Sequence, residues 1–508
     1  MPIDTRHPAY IIQTPDWEVM RDTIAGRRAI IQKITKYLPV PPGLTGIVNF
    51  DVNQLLQTGS RNPEQNRYAF YASFAEYPEL VSPILNAIQG TIHEKPPTIE
   101  LPDDMQYLLD TATTAGDTLE ELWEIATREI FSVGRFSILS EVVNDRLLFA
   151  PYVAESLINW WVLPKLAGGG PVFVVFEETH KRPSDTDRYV LEDKTIWREL
   201  ELVFAEVGEP FYRVRLWIKT DSGEVAVKVD DTTDEHGWIV PTLLGKPFPV
   251  IPVTVINAIQ RGFKFGSLPL IQPSRRSLSI FRRTADYNRA LYNKGDPQAV
   301  LFGISADEAP DKIGGGSIWC FENESGTAAY LDIDGDGIPL MREGINDQYM
   351  RIGEEVGRLF DGGDTTGPES GEAIRRRAAT QQVTVKSAVI NAGTAFENAL
   401  RWNGRLMGKS DEAVAAIKFT PNTDFAEPMM SGQELLGYVM SKNAGAVLSD
   451  ESIHDIARRH KITDKTFDEE KEAIEAEGPD LTALPPPLPF AEETDGDGDG
   501  DDGAGDGA

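Results

Sequence analysis

"LFDGGDTTGPESGEAIRRRAA", residues 359–379, interrupts an otherwise well-patterned chain. A helix striped by Ile345, Tyr349, Ile352, Val356 and Leu359 runs into it, and Gly362 and Gly363 stop that helix. An arginine-rich helical segment leaves it. The stretch between, Asp361 to Gly371, has nothing to bury. A polar, glycine-rich loop between two long helices calls for a reason other than connection.

Downstream, the pattern predicts one helix from about Gly371 to Leu406, with Ile374, Ala378, Val385, Val389, Ala392, Phe396 and Leu400 on its apolar face. At about 1.5 Å per residue it spans on the order of 50 Å, with Gly393 as a candidate bend. Upstream, residues 274–293 read as a helix carrying Arg275, Arg276, Arg282, Arg283 and Arg289. A Gly-rich segment with strands follows, from about Gly295 to Pro339.

The first half reads differently. A helix is expected from about Asp16 to Tyr37, ended by "PVPPG", then a mostly helical stretch, "NRYAFYASFAEYPELVSPILNAIQGTI". The next helix is the best signalled. Thr118 and Glu121 have capping-box spacing, and Leu119, Leu122, Trp123, Ala126 and Ile130 share one face. From Gly134 to about Val255 short β-rich runs such as "PVFVVFEET" and "FYRVRLWIK" alternate with turn residues. Trp160 and Trp161 read as packing residues at a strand end. The fold class is α+β. Beyond residue 430 come short helices, one capped by Ser449, then the acidic "KTFDEEKEAIEAEG" and a low-complexity Asp/Gly end.

The 508 residues allow roughly three domains at about 150 each, and 41% hydrophobic residues suffice for cores. The single cysteine, Cys320, excludes an intramolecular disulfide framework, fits a reducing compartment and reads as a buried thiol. No apolar run reaches the roughly 18 residues of a membrane helix, and the first residues lack a signal-peptide core. A soluble protein made inside the cell is expected, with no membrane partner. Net charge is −31, and removing the eight acids after Ala491 still leaves −23. Such a body should not grip DNA, because phosphate affinity comes from Lys and Arg displacing counterions.

P-loop, zincin, Cys-x-x-Cys and nucleophile-elbow patterns are all missing from the sequence, so no enzyme activity and no cofactor are expected. "DIDGDGIPLMRE" places Asp332, Asp334, Asp336, Gly337 and Glu343 at EF-hand positions, a weak calcium candidate. Pro339 and the strand-like "GTAAYL" favour a turn before a helix N-terminus instead. Arg375, Arg376 and Arg377 suit either DNA phosphates or the carboxylates of a neighbouring subunit, with subunit pairing preferred.

The order of segments resembles the portal proteins of tailed bacteriophages, in a portal-like family long catalogued as an uncharacterised phage domain. The resemblance rests on "WEVMRDTIAG", "GTIHEKPPTIELP", "AGDTLEELWEIATREIFSVGRFSIL", "AESLINWW", the helix–clip–helix region around 268–360, "SGEAIRRRAA" and "LSDESIHDIARRH…FDEEKEAIEAE". It covers roughly residues 10–478. It implies a ring of about twelve subunits at one capsid vertex of a virion, made in the host cytoplasm. Double-stranded DNA would pass through the ring without sequence specificity. The partners would be the terminase packaging motor, a head–tail adaptor and the major capsid protein.

On that resemblance, residues 1–267 are the wing, 268–294 the first stem helix, 295–340 the clip and 341–360 the second stem helix. Residues 361–371 are the tunnel loop, 372–429 the tunnel helix and its return to the wing, 430–478 the crown, and 479–508 an acidic tail. The loop residues facing DNA would be Asp361, Gly362, Gly363, Asp364, Thr365, Thr366, Gly367 and Glu369. Arg282, Arg283 and Arg375–Arg377 would contact neighbouring subunits. Acids in a loop repeated around a ring repel a polymer carrying about one charge per 1.7 Å, which lowers friction. The alternative is a calcium-stabilised structural or adhesin-like virion protein using the EF-hand-like loop.

Overall fold

A computed structural model describes residues 2–41, 67–163, 170–184, 186–204, 209–220, 223–229, 233–295, 298–303, 327–331, 335–357, 371–423, 425, 449, 451–452, 454, 458 and 465–476. Side chains of the helix that starts at Gly371 are described from Val385 onward. Two compact units result, Met1–Phe425 and Ala426–Ala508.

The chain enters through α1 (Pro8–Ala25), α2 (Arg27–Gln32) and α3 (Ile34–Tyr37). The helix expected from Asp16 therefore starts at Pro8, with His7 Nδ1 accepting from the Ala9 amide at 3.1 Å. Pro15 lies inside α1 instead of before it. The helix tolerates it while burying Tyr10 and Trp17 on either side. It breaks at Gly26, whose φ of 85° places it in the left-handed region. The Glu79 carboxylate fills that break and accepts from the Arg27 amide at 2.7 Å.

Then come α4 (Arg67–Ala72), α5 (Val81–Ile92), β1 (Thr98–Glu100), α6 (Tyr107–Asp110) and α7 (Leu119–Val133). The capping box of α7 forms as its spacing requires. Glu121 donates its amide to Thr118 Oγ1 at 3.1 Å, and the Thr118 amide donates to Glu121 Oε2 at 2.8 Å. Gly134 ends the helix at φ 79°.

Two antiparallel sheets follow. β2 (Arg135–Val143), β3 (Arg146–Val153) and the late strand β12 (Val253–Asn257) form one, ordered β12-β2-β3. Asn144 and Asp145, both at positive φ, close the β2–β3 hairpin in two residues. The other sheet runs β4 (Leu157–Val162), β5 (Pro171–Pro183), β6 (Leu191–Val203), β7 (Phe211–Thr220) and β8 (Gly223–Val227), with β9 (Trp238–Ile239) beside β7. A small hairpin, β10 (Thr242–Leu243) with β11 (Lys246–Pro247), precedes β12. Strand alternation divides the tryptophan pair: Trp160 is buried, while Trp161 faces outward.

A charged cluster joins the sheets. Arg198 on β6 ion-pairs with Glu141 on β2 and, at 2.6 Å, with Glu178 on β5; the Tyr152 hydroxyl of β3 donates to Glu178 at 2.7 Å. Burial raises the Glu141 carboxyl above its ordinary value despite Arg198. Burial also acts against ionised Glu178, but the Arg198 charge and the Tyr152 hydrogen bond outweigh it, so Glu178 titrates low.

The second half contains α8 (Ile271–Gly295), β13 (Gln298–Phe302), β14 (Thr327–Leu331), α9 (Gly337–Gly357) and α10 (Gly371–Leu406). α11 (Asp411–Ala415) and β15 (Lys418–Thr420) complete the first unit. β15 pairs with β1, Phe419 opposite Ile99. α10 has the expected bounds, and Val385, Val389, Ala392, Phe396 and Leu400 are all buried. Phe396 meets Trp123 of α7 at 5.6 Å and Phe419 at 4.7 Å, edge-on and tilted, at the centre of the largest core. Gly393 is a packing position inside an uninterrupted helix: a Cβ there would stand 2.7 Å from Pro421 Cγ.

In the second unit, Ser449 Oγ accepts from the Ser452 amide at 3.0 Å, the bond expected of an N-cap. Thr466 and Glu469 form a capping box on α12 (Phe467–Ala476). No helix among the described residues is long and apolar enough to cross a membrane. The fold is α+β.

Candidate functional site

The helices on either side of the opening stretch, α8 and α9, define the candidate region. At about 1.5 Å per residue they run roughly 37 and 31 Å. The first half of α8 belongs to the body, where Ile271, Ser274, Ser277, Leu278, Ile280, Phe281 and Ala285 are buried. Small residues let it approach α1: Thr23 Oγ1 donates to Ser274 Oγ at 3.1 Å. Beyond Ala285 it is held by α4, the turn after it and the partner helix α9. The Tyr71 hydroxyl donates to Asp286 at 2.8 Å, Asn288 donates to the Phe74 carbonyl at 2.9 Å, and Tyr292 packs on Phe70 and Phe74.

α9 packs on α8 through a thin seam of Ile345 and Ile352 against Ile280, with Val356 and Tyr287 beside them. Arg276 of α8 closes the seam, donating to Glu355 at 2.8 Å and to Gln348 at 3.3 Å. The hydrogen bond to Glu355 raises the Arg276 guanidinium above its ordinary value. Gly344 lies against the Arg283 guanidinium. Several other large apolar groups of α9 are left exposed among the described residues. Leu340 and Met350 are 68% and 65% exposed, and Met341 and Tyr349 are exposed as well. Leu291 and Tyr292 of α8 are also exposed. Around Gly353 the surface is open: a Cβ added there would meet nothing within 4 Å. A cleft of about 440 Å³ lies here between Arg276, Asp347, Met350, Arg351, Glu354 and Glu355.

The sequence-derived residues fall as follows. Asp361, Gly362, Gly363, Asp364, Thr365, Thr366, Gly367 and Glu369 lie outside the described residues, as do Asp332, Asp334 and Cys320. Arg375–Arg377 lie in the first turns of α10, with backbone only described. Arg282 and Arg283 are both exposed, and Arg282 Nε donates to the Tyr37 carbonyl of its own chain at 2.7 Å. Asp336 directly precedes α9 and Glu343 lies within it. The segment before this candidate calcium loop is strand β14 and not an entering helix, and Pro339 occupies the first turn of α9, where its missing N–H costs no helical bond. No group of three or more His, Cys, Asp or Glu suited to a metal ion occurs among the described residues.

The sequence reading missed the face of α10 that carries Asn391, Thr394, Ala395, Asn398, Trp402 and Arg405, which lines a cavity against β12. Its three- and four-residue spacing is visible in the sequence, but polar residues off an apolar stripe read as solvated surface.

A helical pair joined by a β-hairpin and followed by a long returning helix is thus the distinctive feature of this α+β fold. The family described as "Domain of unknown function (DUF4055)" matches residues 269–407, from the start of α8 to the end of α10. No curated protein matches the chain. Solved structures similar to it include a chain of "Neck of empty GTA particle computed with C6 symmetry", at 11% identity and TM-score 0.37 over 75% of this chain and 90% of that one. A chain of "Neck of native GTA particle computed with C12 symmetry" matches at 11% identity and TM-score 0.36, over 77% and 90%. A chain of "Virion of native gene transfer agent (GTA) particle" matches at 10% identity and TM-score 0.34, over 80% and 96%.

Proposed function

We propose that this chain is a portal-type subunit of a tailed-phage-like virion, a non-enzymatic structural protein. It would assemble into a ring of about twelve copies through which double-stranded DNA passes. One observation carries the reading: the α8–α9 pair is anchored at one end and leaves Leu340, Met341, Tyr349 and Met350 exposed among the described residues. Arg342, Glu343, Asp347, Arg351 and Glu354 lie among them on the same helix. Apolar anchors mixed with both signs of charge suit side-by-side packing of identical copies. The polar stretch that follows α9, with Asp361, Asp364 and Glu369, would then face the channel, and the acidic body would not grip the passing duplex. The terminase motor, a head–tail adaptor and the major capsid protein are the partners this role calls for.

The test is electron microscopy of the purified protein together with genome packaging. Rings near twelve copies are expected. A chain that stays monomeric at micromolar concentration under all salt conditions sinks the reading. Replacing Asp361, Asp364 and Glu369 with lysine should leave rings intact but shorten packaged DNA more than serine replacement does. That difference should shrink as salt rises, with a screening length of about 8 Å at physiological ionic strength.

A further inference from the structure

Away from the α8–α9 pair, a cavity of about 420 Å³ opens where the two sheets meet α10. Its volume falls in the roughly 300–1,000 Å³ range of small-molecule sites. One wall is the run Val250–Val255 leading into and along β12, and the opposite wall is the Asn391–Arg405 face of α10. The turn after β12 closes one end with Gln260, Arg261 and Phe263. That turn is fixed: Asn257 donates to the Gly262 carbonyl at 2.6 Å, and Asn391 donates to the Ile259 carbonyl at 3.1 Å.

The charge pattern is unusual for this molecule. Acids number 80 in the chain, yet none lines the cavity among the described residues, whereas Arg261 and Arg405 do. Behind the wall lies a third cation. Arg135 is 1% exposed, and all three of its guanidinium nitrogens lack a hydrogen-bond partner among the described residues. It is the cross-strand partner of Asn257 and lies 5.8 Å from the Phe263 ring, both of which line the cavity. Its other neighbours are the faces of Phe265 and Trp160, at 4.6 and 4.7 Å. Burial pulls its guanidinium down to about 9, still cationic at neutral pH. A buried positive charge without a carboxylate favours an anion nearby.

We propose that this cavity binds a phosphate-bearing ligand of nucleotide size. Arg261 and Arg405 are the cations at its rim, and either guanidinium would take the phosphate in bidentate fashion. Phe263 and Trp402 offer ring surfaces, and Gln260 and Asn398 offer amides able to donate and accept. The assignment is independent of ring assembly.

Isothermal titration calorimetry on the intact chain with deoxyadenosine monophosphate, deoxyadenosine and inorganic phosphate tests it. The monophosphate should bind, and deoxyadenosine at least tenfold more weakly. Arg261→Ala/Arg405→Ala should weaken the monophosphate at least tenfold with unchanged melting, since both side chains are exposed. The proposal is overturned by no heat with the monophosphate up to millimolar concentration, by equal binding of deoxyadenosine, or by binding undiminished in the double variant. Inorganic phosphate binding as tightly as the monophosphate would overturn it too, as an adventitious ion only.

Discussion

α7 and α9 are both amphipathic helices in the same compact unit, and they differ in where their apolar residues end up. In α7, Leu119, Leu122, Trp123, Ala126 and Ile130 are each at most 1% exposed, packed against the sheet and α10. In α9 only Ile345 and Ile352 are buried, while Leu340, Met341, Tyr349 and Met350 face outward. One helix is satisfied within the chain. Among the described residues the other leaves large apolar groups uncovered, the pattern expected of a subunit contact and not of a core.

The contrast would break if disrupting the two helices had the same effect. Trp123→Ala removes the ring packed on both Phe396 and Phe419 and should cost about 3–5 kcal/mol, read as a fall in the denaturant midpoint. Met341→Glu/Met350→Glu should change the unfolding free energy by less than about 0.5 kcal/mol while abolishing higher assemblies in native mass spectrometry. A double variant that still assembles would mean the exposed methionines of α9 are plain surface.

A finer comparison concerns two carboxylates on one arginine. Glu178 titrates low in the fold, so its stabilisation is fully present above the ordinary carboxylate range and is lost as pH falls through its folded value. Glu141 titrates high, so its ionisation opposes folding as pH rises through that range. Glu178→Gln should therefore cost about 1–3 kcal/mol at pH 7, with the gap to the parent closing in acid. Glu141→Gln should cost less at pH 7. Equal losses in urea titrations at both pH values would contradict this division. The smallest expected effect is at the α7 cap: Thr118→Ala should cost about 1 kcal/mol, visible as a small drop in melting temperature.

Local signals were the legible part of the fold. Thr118 and Glu121 stand three apart and bond reciprocally, and the apolar stripe of α10 gave both of its ends. The entry helices were less legible. Pro15 sits inside α1, and the break falls at Gly26 because Glu79, far along the chain, fills the gap. Trp160 and Trp161 read alike in sequence and differ only by strand alternation. The helices α8 and α9 were each legible, but the exposure of Met341 and Met350 depends on how the two pack, which no periodicity encodes. The cavity beside α10 was invisible for a similar reason. Arg261 and Arg405 come to line one cavity only through the packing of α10 on β12, and Arg135 is the partner of the lining Asn257 only through the β2–β12 register.

Gly393 and Gly353 lie mid-helix and look interchangeable on paper, yet selection should treat them oppositely. With Pro421 against it, Gly393 leaves no room for a methyl group, so a saturation library should lose every substitution there as completely as at a catalytic position, although it does no chemistry. Gly353 is open, and alanine there should help the lone subunit by roughly 1 kcal/mol of helix propensity. If a neighbouring copy packs over it, the same alanine would pass a folding screen and fail a screen for infectious particles. Comparing fitness between those two screens, position by position along α9, would draw the outline of the contact surface from heredity alone.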